Sequence, residues 1–254
     1  MRKYNFNEHF FDGLNEQSSY WLGFLYADGY VRMKDGKSGE LKLKLKDTDK
    51  CHIEKFLKNI ECDKPIKCGV DGKSKFCSVT IYSNLLINRL FELGCVNNKT
   101  FKIEFPKLND KYLPHFIRGY FDGDGCISKV KNKWYCITIV GNEGFIFSLK
   151  NFLLDKGILK INIYSSGKIK ILSITNLTDV FKFKNFIYNC DTVFLERKKN
   201  KFDGVINDFV SKKDFCDLVL EKKLTTLNKY LSYVSLNKLS RFPRNPESEY
   251  NFKF

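Results

Sequence analysis

Apolar and charged residues alternate strictly over Glu40-Leu-Lys-Leu-Lys-Leu-Lys46, the period of a half-buried β-strand. Leu41, Leu43 and Leu45 share one face, and Lys42, Lys44 and Lys46 share the other. The period then lengthens to that of a helix. Ile53, Phe56, Leu57 and Ile60 fall on one side of a segment that starts at the Asp47-Thr48-Asp49 cap. Two shorter strands are predicted over 65–70 and 76–82, then a helix over 84–93 with Leu86, Leu90 and Leu93 aligned, ending at Gly94. The second half repeats this order. It gives a strand over 134–140 and a helix over 142–156 with Phe145, Leu149, Phe152 and Leu153 aligned. Strands over 160–164 and 168–175 and a closing helix over 177–188 follow. Matched order in two halves reads as an internal duplication.

Each half opens on a related motif, Trp21-Leu-Gly-Phe-Leu-Tyr-Ala-Asp28-Gly29 and Ile117-Arg-Gly-Tyr-Phe-Asp-Gly-Asp124-Gly125. Both are apolar helical stretches that close on Asp-Gly. Gly23 and Ala27, and likewise Gly119 and Gly123, are small residues four apart and so lie on one helix face. They are the predicted helix interface, where two backbones pack closer than the usual interaxial distance of about 8–10 Å. Asp28 and Asp124 then meet at two helix C-termini, where the helix dipole already concentrates negative charge. A divalent cation is the natural compensation. The expected fold is α+β, with two αββαββα repeats over 1–110 and 111–203. A helical C-terminal extension over 204–254 carries a basic end (Lys238, Arg241, Arg244) suited to DNA contact or to packing.

The paired motifs resemble the signature helices of LAGLIDADG homing endonucleases, in the arrangement with both copies on one chain. The third-position glycine, the small seventh residue and the closing Asp-Gly match in both copies, while the sixth position is Tyr26 in one and Asp122 in the other. The resemblance implies pseudo-symmetric repeats whose basic antiparallel sheets form a DNA-binding saddle. It also implies site-specific, metal-dependent cutting of double-stranded DNA by a monomer. Asp28 and Asp124 would each position Mg²⁺, with Mn²⁺ as a substitute, at one scissile phosphate, and the Ala27 and Gly123 carbonyls are the implied additional ligands. Lys99 and Lys198 follow the two acids at nearly equal spacing and resemble the family's basic catalytic-pocket residues. Asp47 resembles a position that supports the water network, although helix capping explains it equally. Asp122 is expected to bond locally. The alternative is a binder of the same architecture that does not cut: a transcription regulator, or an RNA splicing maturase with intron RNA as partner.

Charge narrows the partner. Lys+Arg 44 against Asp+Glu 29 gives a net charge of +15, which favours a polyanion. Basic residues gather on the proposed sheet surfaces and turns, and form the predicted DNA surface. They are Arg32, Lys34, Lys42, Lys44, Lys46, Lys67, Lys73 and Lys75 in the first half, and Lys129, Lys131, Lys133, Lys168 and Lys170 in the second. A strand of this length spans about 23 Å, so two sheets side by side cover on the order of 15–20 base pairs.

No apolar run reaches the roughly 20 residues of a membrane span, and the N-terminal residues lack the apolar core of a signal peptide. An intracellular protein with no membrane partner is expected. The 9 cysteines are odd in number and include no Cys-x-x-Cys, which suggests reduced, mostly buried thiols rather than a disulfide framework or a zinc ribbon. His9, His52 and His115 are too dispersed for an imidazole-based metal nuclease. His52 is expected on a helix surface and His115 beside the second motif.

Overall fold

Asn15 starts the first motif helix, α1 (Glu16–Asp28), with a capping box in which its side chain accepts from the Ser18 amide and Ser18 returns a bond to the Asn15 amide. α1 has no polar stripe because it is buried all round, from Ser18 to Ala27. At Gly29 the backbone turns directly into extended geometry and becomes β1 (Gly29–Lys34). β2 (Lys37–Lys46), α2 (Lys50–Asn59), β3 (Lys67–Asp71), β4 (Ser74–Tyr82) and α3 (Asn84–Glu92) complete the first repeat. The second is α4 (Leu113–Asp124), β5 (Gly125–Val130), β6 (Trp134–Gly141), α5 (Glu143–Asp155), β7 (Ile161–Ser166), β8 (Ile169–Ile174) and α6 (Leu177–Ile187). A short α7 (Glu196–Lys199) follows. This structure, a computed structural model, describes residues 4–34, 37–96, 102–131, 134–189 and 192–208.

The strands form two four-stranded antiparallel sheets of identical topology, β1-β2-β4-β3 and β5-β6-β8-β7. Leu41 pairs with Ile81 and Leu43 with Val79 on the core face of the first sheet; Ile137 pairs with Ile174 and Ile139 with Leu172 on that of the second. α2 and α3 cover the first core face, and α5 and α6 the second. The predicted helical faces are the ones buried: Ile53, Phe56, Leu57 and Ile60 on α2, and Phe145, Leu149 and Leu153 on α5. α1 and α4 pack on each other between the two repeats.

Residues Met1–Ile206 form one compact unit and Asn207–Phe254 another. The helical pattern over 212–244, with its basic end, lies outside the described residues. Among the described residues no helix is long and apolar enough to cross a membrane.

Two expectations need correction. Cys68 and Cys77 stand directly opposite across β3 and β4, with Cα atoms 4.1 Å apart, and are joined in a disulfide. Cys51 and Cys126 are exposed rather than buried. His52 is fully buried, not on a helix surface: the α2 face that carries Ile53 and Phe56 turns it against Tyr20, Trp21 and Phe24.

Candidate active site

The α1–α4 crossing is built on glycine because nothing larger fits. A Cβ on Gly23 would overlap the Phe116 carbonyl and lie 2.9 Å from the Tyr120 nitrogen. A Cβ on Gly119 would overlap the Tyr20 carbonyl and lie 2.8 Å from the Phe24 nitrogen. These contacts are reciprocal, as a pseudo-twofold axis through the seam requires. One turn further on, Gly123 rests against the Ala27 side chain, and a Cβ there would sit 3.4 Å from Asp28 Oδ2. All four small residues of the predicted interface therefore line it. Asp28 is exposed at the end of α1 beside the residue that precedes Asp124, which is exposed at the end of α4. Both carboxylates stand at the negative end of a helix.

Lys198 enters this region from α7 and is almost fully buried. Its ammonium donates to the carbonyls of Phe121 at 2.7 Å, Gly123 at 3.1 Å and Gly125 at 2.6 Å. Those bonds use all three of its donors and neutralise the C-terminus of α4. Burial pulls the ammonium down to about 8, against the fields of Asp122 and Asp28, which favour its charge. The Gly123 carbonyl, an implied metal ligand, is thus engaged by this ammonium. Lys198 has no surface role: it is part of the interior support of the acidic pair.

What delivers Lys198 is a segment that the sequence did not mark. Asp122, expected to bond locally, is instead fully buried and accepts from the hydroxyls of Tyr20 at 2.8 Å and Tyr188 at 3.0 Å and from the Leu195 amide at 2.8 Å. Burial raises its carboxyl to about 6, and the Tyr20 bond opposes that rise. Arg118 is also fully buried. It donates to the carbonyls of Val193 at 2.8 Å and Ile187 at 2.7 Å and to the Thr192 hydroxyl. Beyond these anchors the chain reaches the first repeat, where Arg197 grips Asp49 through bonds of 2.9–3.0 Å and Glu196 pairs with Lys55. Asp49 is therefore occupied by Arg197 rather than capping α2. Asp47 accepts from the amide of its neighbour Thr48, and neither acid caps that helix by its side chain. His115 lies within α4, buried, with Nδ1 3.0 Å from Arg118.

Strand register decides where the basic residues point, since directly paired residues share a face. Arg32, Lys42, Lys44, Lys46 and Lys67 lie on the outer face of the first sheet, away from Leu41 and Leu43. Arg32 is paired with Glu40 at 2.6 Å and Lys44 with Asp71 at 2.8 Å. Lys75 pairs with Val70 on the opposite face, and Lys73 lies in the hairpin beyond β3. In the second sheet the outer-face expectation fails. Lys129 pairs with Tyr135 and Lys170 with Gly141, both on the core-side face at its margins. There Lys170 reaches Glu143 of α5 at 3.4 Å. Lys131 and Lys168 are hairpin residues. Lys99, Lys133 and the side chain of Lys34 lie outside the described residues.

The residues missed by sequence reasoning are Arg118, Asp122, Asp49, Arg197 and Tyr188. Only the charge of Arg118 and Asp122 inside an otherwise apolar motif could have flagged them. Among the described residues no three His, Cys, Asp or Glu side chains group as a metal site. The implied ligand oxygens that remain at the seam are the two carboxylates and the Ala27 carbonyl, since Lys198 takes the Gly123 carbonyl. Such hard oxygens suit Mg²⁺, which keeps most of its shell as water and substrate phosphate.

No protein-family model matches the chain, and no curated protein does. Solved structures do. The LAGLIDADG meganuclease I-AabMI bound to uncleaved DNA superposes with a TM-score of 0.52 at 14% identity, over 79% of this chain and 92% of that one. The homing endonuclease I-WcaI bound to its DNA recognition sequence gives 0.55 at 17%, over 73% and 85%. The LAGLIDADG homing endonuclease I-GzeII in complex with its DNA target gives 0.51 at 13%, over 92% and 100%. At these identities the likeness is one of fold, and the chain has the LAGLIDADG homing endonuclease fold.

Proposed function

We propose that this protein is a site-specific endonuclease of double-stranded DNA, of the homing type, and that it works as a monomer because one chain supplies both acids. The observation that carries this reading is the seam itself. Two exposed carboxylates stand at the C-terminal ends of helices locked together by Gly23 and Gly119, directly before the first strands of two sheets. A protein that only bound a polyanion would gain nothing from placing two acids there. The solved structures of this fold are themselves described as nucleases bound to DNA.

Mg²⁺ at this site would supply Lewis-acid stabilisation of the attacked phosphate and an acidified water. Asp28 and Asp124 would hold it, one acid serving each strand, and orient the attacking water. Lys198 fixes the end of α4 and lends positive charge beside Asp28. Arg32, Lys42, Lys46 and Lys67 offer contacts to the phosphates and bases of one half-site.

The test is plasmid cleavage. Wild-type protein should linearise DNA that carries a selected target only when Mg²⁺ or Mn²⁺ is present. Asp28→Asn and Asp124→Asn should each abolish double-strand cutting and leave binding within a fewfold of wild type. A wild-type protein that binds its target tightly yet never nicks it in either metal would replace this reading with a non-cutting regulator or maturase. Binding should also weaken steeply with salt, by a log–log slope of roughly −0.9 per phosphate neutralised.

A further inference from the structure

The two sheets share one register, which allows their outer faces to be compared position by position. Gly29 stands opposite Leu43 as Gly125 stands opposite Ile139, and Lys42 opposite Thr80 as Thr138 stands opposite Ser173. By this correspondence Arg32 maps to Ser128, Lys42 to Thr138 and Lys44 to Val140. Lys67, opposite Ser78, maps to Tyr164, opposite Ile171. Every described cation on the outer face of the first sheet has an uncharged counterpart. Among the described residues of β5–β8 the outer face carries no charged side chain at all.

That face is not merely neutral. Tyr164, 56% exposed, stands in one row with half-buried Ile171 and Val140 across β7, β8 and β6, with Ile169 in the next row; Trp134, 44% exposed, lies at the other end of β6, and Ser128 and Thr138 supply hydroxyls between. Apolar side chains that adjoin one another on an uncovered sheet face suit a contact surface. In the major groove the four bases offer such a surface different chemistry. Guanine presents the N7 and O6 acceptors that Lys and Arg take. Thymine presents a C5-methyl that apolar side chains pack against, and hydroxyls serve either. Lys129, Lys131, Lys168 and Lys170 of this repeat stand at hairpins and sheet margins, positions suited to backbone phosphates.

Resting on the DNA-binding reading above, we propose that the target is chemically lopsided. The half-site under β5–β8 is rich in A·T and is read through thymine methyls against Trp134, Val140, Tyr164 and Ile171. The half-site under β1–β4 is read through guanine N7 and O6 by Lys42, Lys67 and their neighbours. One end of the site is held by charge and the other by shape.

The experiment selects bound duplexes from a randomised pool with the full chain, then edits single atoms of the selected site. Deoxyuridine for thymidine removes the methyl, and 7-deazaguanine removes N7. Lys42→Ala marks the half-site beneath the first sheet, because there it cancels the loss caused by 7-deazaguanine. Deoxyuridine throughout the other half should weaken binding by about tenfold or more, and by less than about twofold in the half marked by Lys42→Ala. The 7-deazaguanine effect should fall the other way round. Equal sensitivity in both halves, a deoxyuridine effect in the Lys42 half, or a far half without thymine would each overturn this proposal and leave the nuclease reading standing. Failure to enrich any duplex would overturn both.

Discussion

The Tyr20 hydroxyl donates to the Asp122 carboxylate at 2.8 Å and so joins the two motif helices through residues 102 positions apart. The pseudo-symmetric counterpart is apolar: the ring of Tyr26 packs edge-on against Phe116, with centroids 5.0 Å apart. The two residues at the sixth motif position nonetheless do the same work. Tyr26 bonds to the Leu93 carbonyl just past α3, and Asp122 bonds to Tyr188 and Leu195 just past α6. Each secures the chain that leaves its own repeat.

Asp122→Leu should therefore be among the costliest substitutions in the protein. It strands two tyrosine hydroxyls and an amide in the interior, an expected loss of about 3–5 kcal/mol. Tyr188→Phe removes one donor and leaves the carboxylate two others, so its cost should be near 1 kcal/mol. Urea unfolding of the two variants against wild type measures the difference.

Gly119→Ala adds one methyl where the Tyr20 carbonyl already stands. The helices must separate, at a cost of about 1–3 kcal/mol or more, which lowers the melting temperature by roughly 2–4 °C per kcal/mol for a chain of this size. Gly13→Ala, at a glycine with nothing within 4 Å of the added carbon, is the control and should be silent. Thermal unfolding followed by circular dichroism distinguishes the two.

Acid should weaken the fold through His52. Burial, aided by the fields of Lys55, Arg197 and Lys198, holds its imidazole neutral and pushes its pKa down to about 3. The Tyr20 proton is committed to Asp122, so His52 Nε2, 2.9 Å from that hydroxyl, is the protonated nitrogen and Nδ1 stays bare and unpartnered. The unfolded chain takes up a proton as the pH falls past about 6.5, whereas the native chain does not until near 3. Between those values the native state loses up to roughly 1.4 kcal/mol per pH unit. Burial lowers the His115 pKa too, so it adds in the same direction. The native Asp122 carboxyl, raised to about 6, takes up its proton before the unfolded chain does and opposes this loss. The contribution of His52 is therefore read by difference: between pH 7 and pH 5 urea midpoints should fall less in His52→Gln than in the wild type.

The Cys68–Cys77 bond closes a short loop with a sequence separation of 9. In the chain-entropy account such a loop contributes about 2.5 kcal/mol by restricting the unfolded state. Unfolding in a phosphine reductant should show a loss of that order. Cys68→Ser should be indifferent to the reductant.

The sequence displayed what is local. The Lys42-Lys44-Lys46 alternation, the helical faces of α2 and α5 and the twin motifs each depend on neighbours a few positions away, and the structure returns them in place. The close crossing of α1 and α4 was legible too, because Gly23 and Gly119 encode it by what they lack. The partners of Asp122, Arg118 and Asp49 were not, since they lie 66 to 148 positions off along the chain and leave no period to read. His52 was misplaced for the same reason: its spacing fits a helix surface until α1 is laid over it. The second-sheet lysines failed differently. Lys129 and Lys170 lie within strands, but only the register with Tyr135 and Gly141 reveals which side they occupy.

The path of residues 192–199 bears on any attempt to treat the halves as interchangeable parts. Because Arg197 and Glu196 end on Asp49 and Lys55, the closing stretch of the second repeat completes the first. A chimera that imports the N-terminal half from elsewhere inherits an unanswered cation, Arg197, and an unanswered acid, Glu196, unless Asp49 and Lys55 come with it. A donor half transplanted without its tail loses Lys198 from beneath its own acid. Recombination between such proteins should succeed at junctions that keep this crossing pair together and fail where it is split.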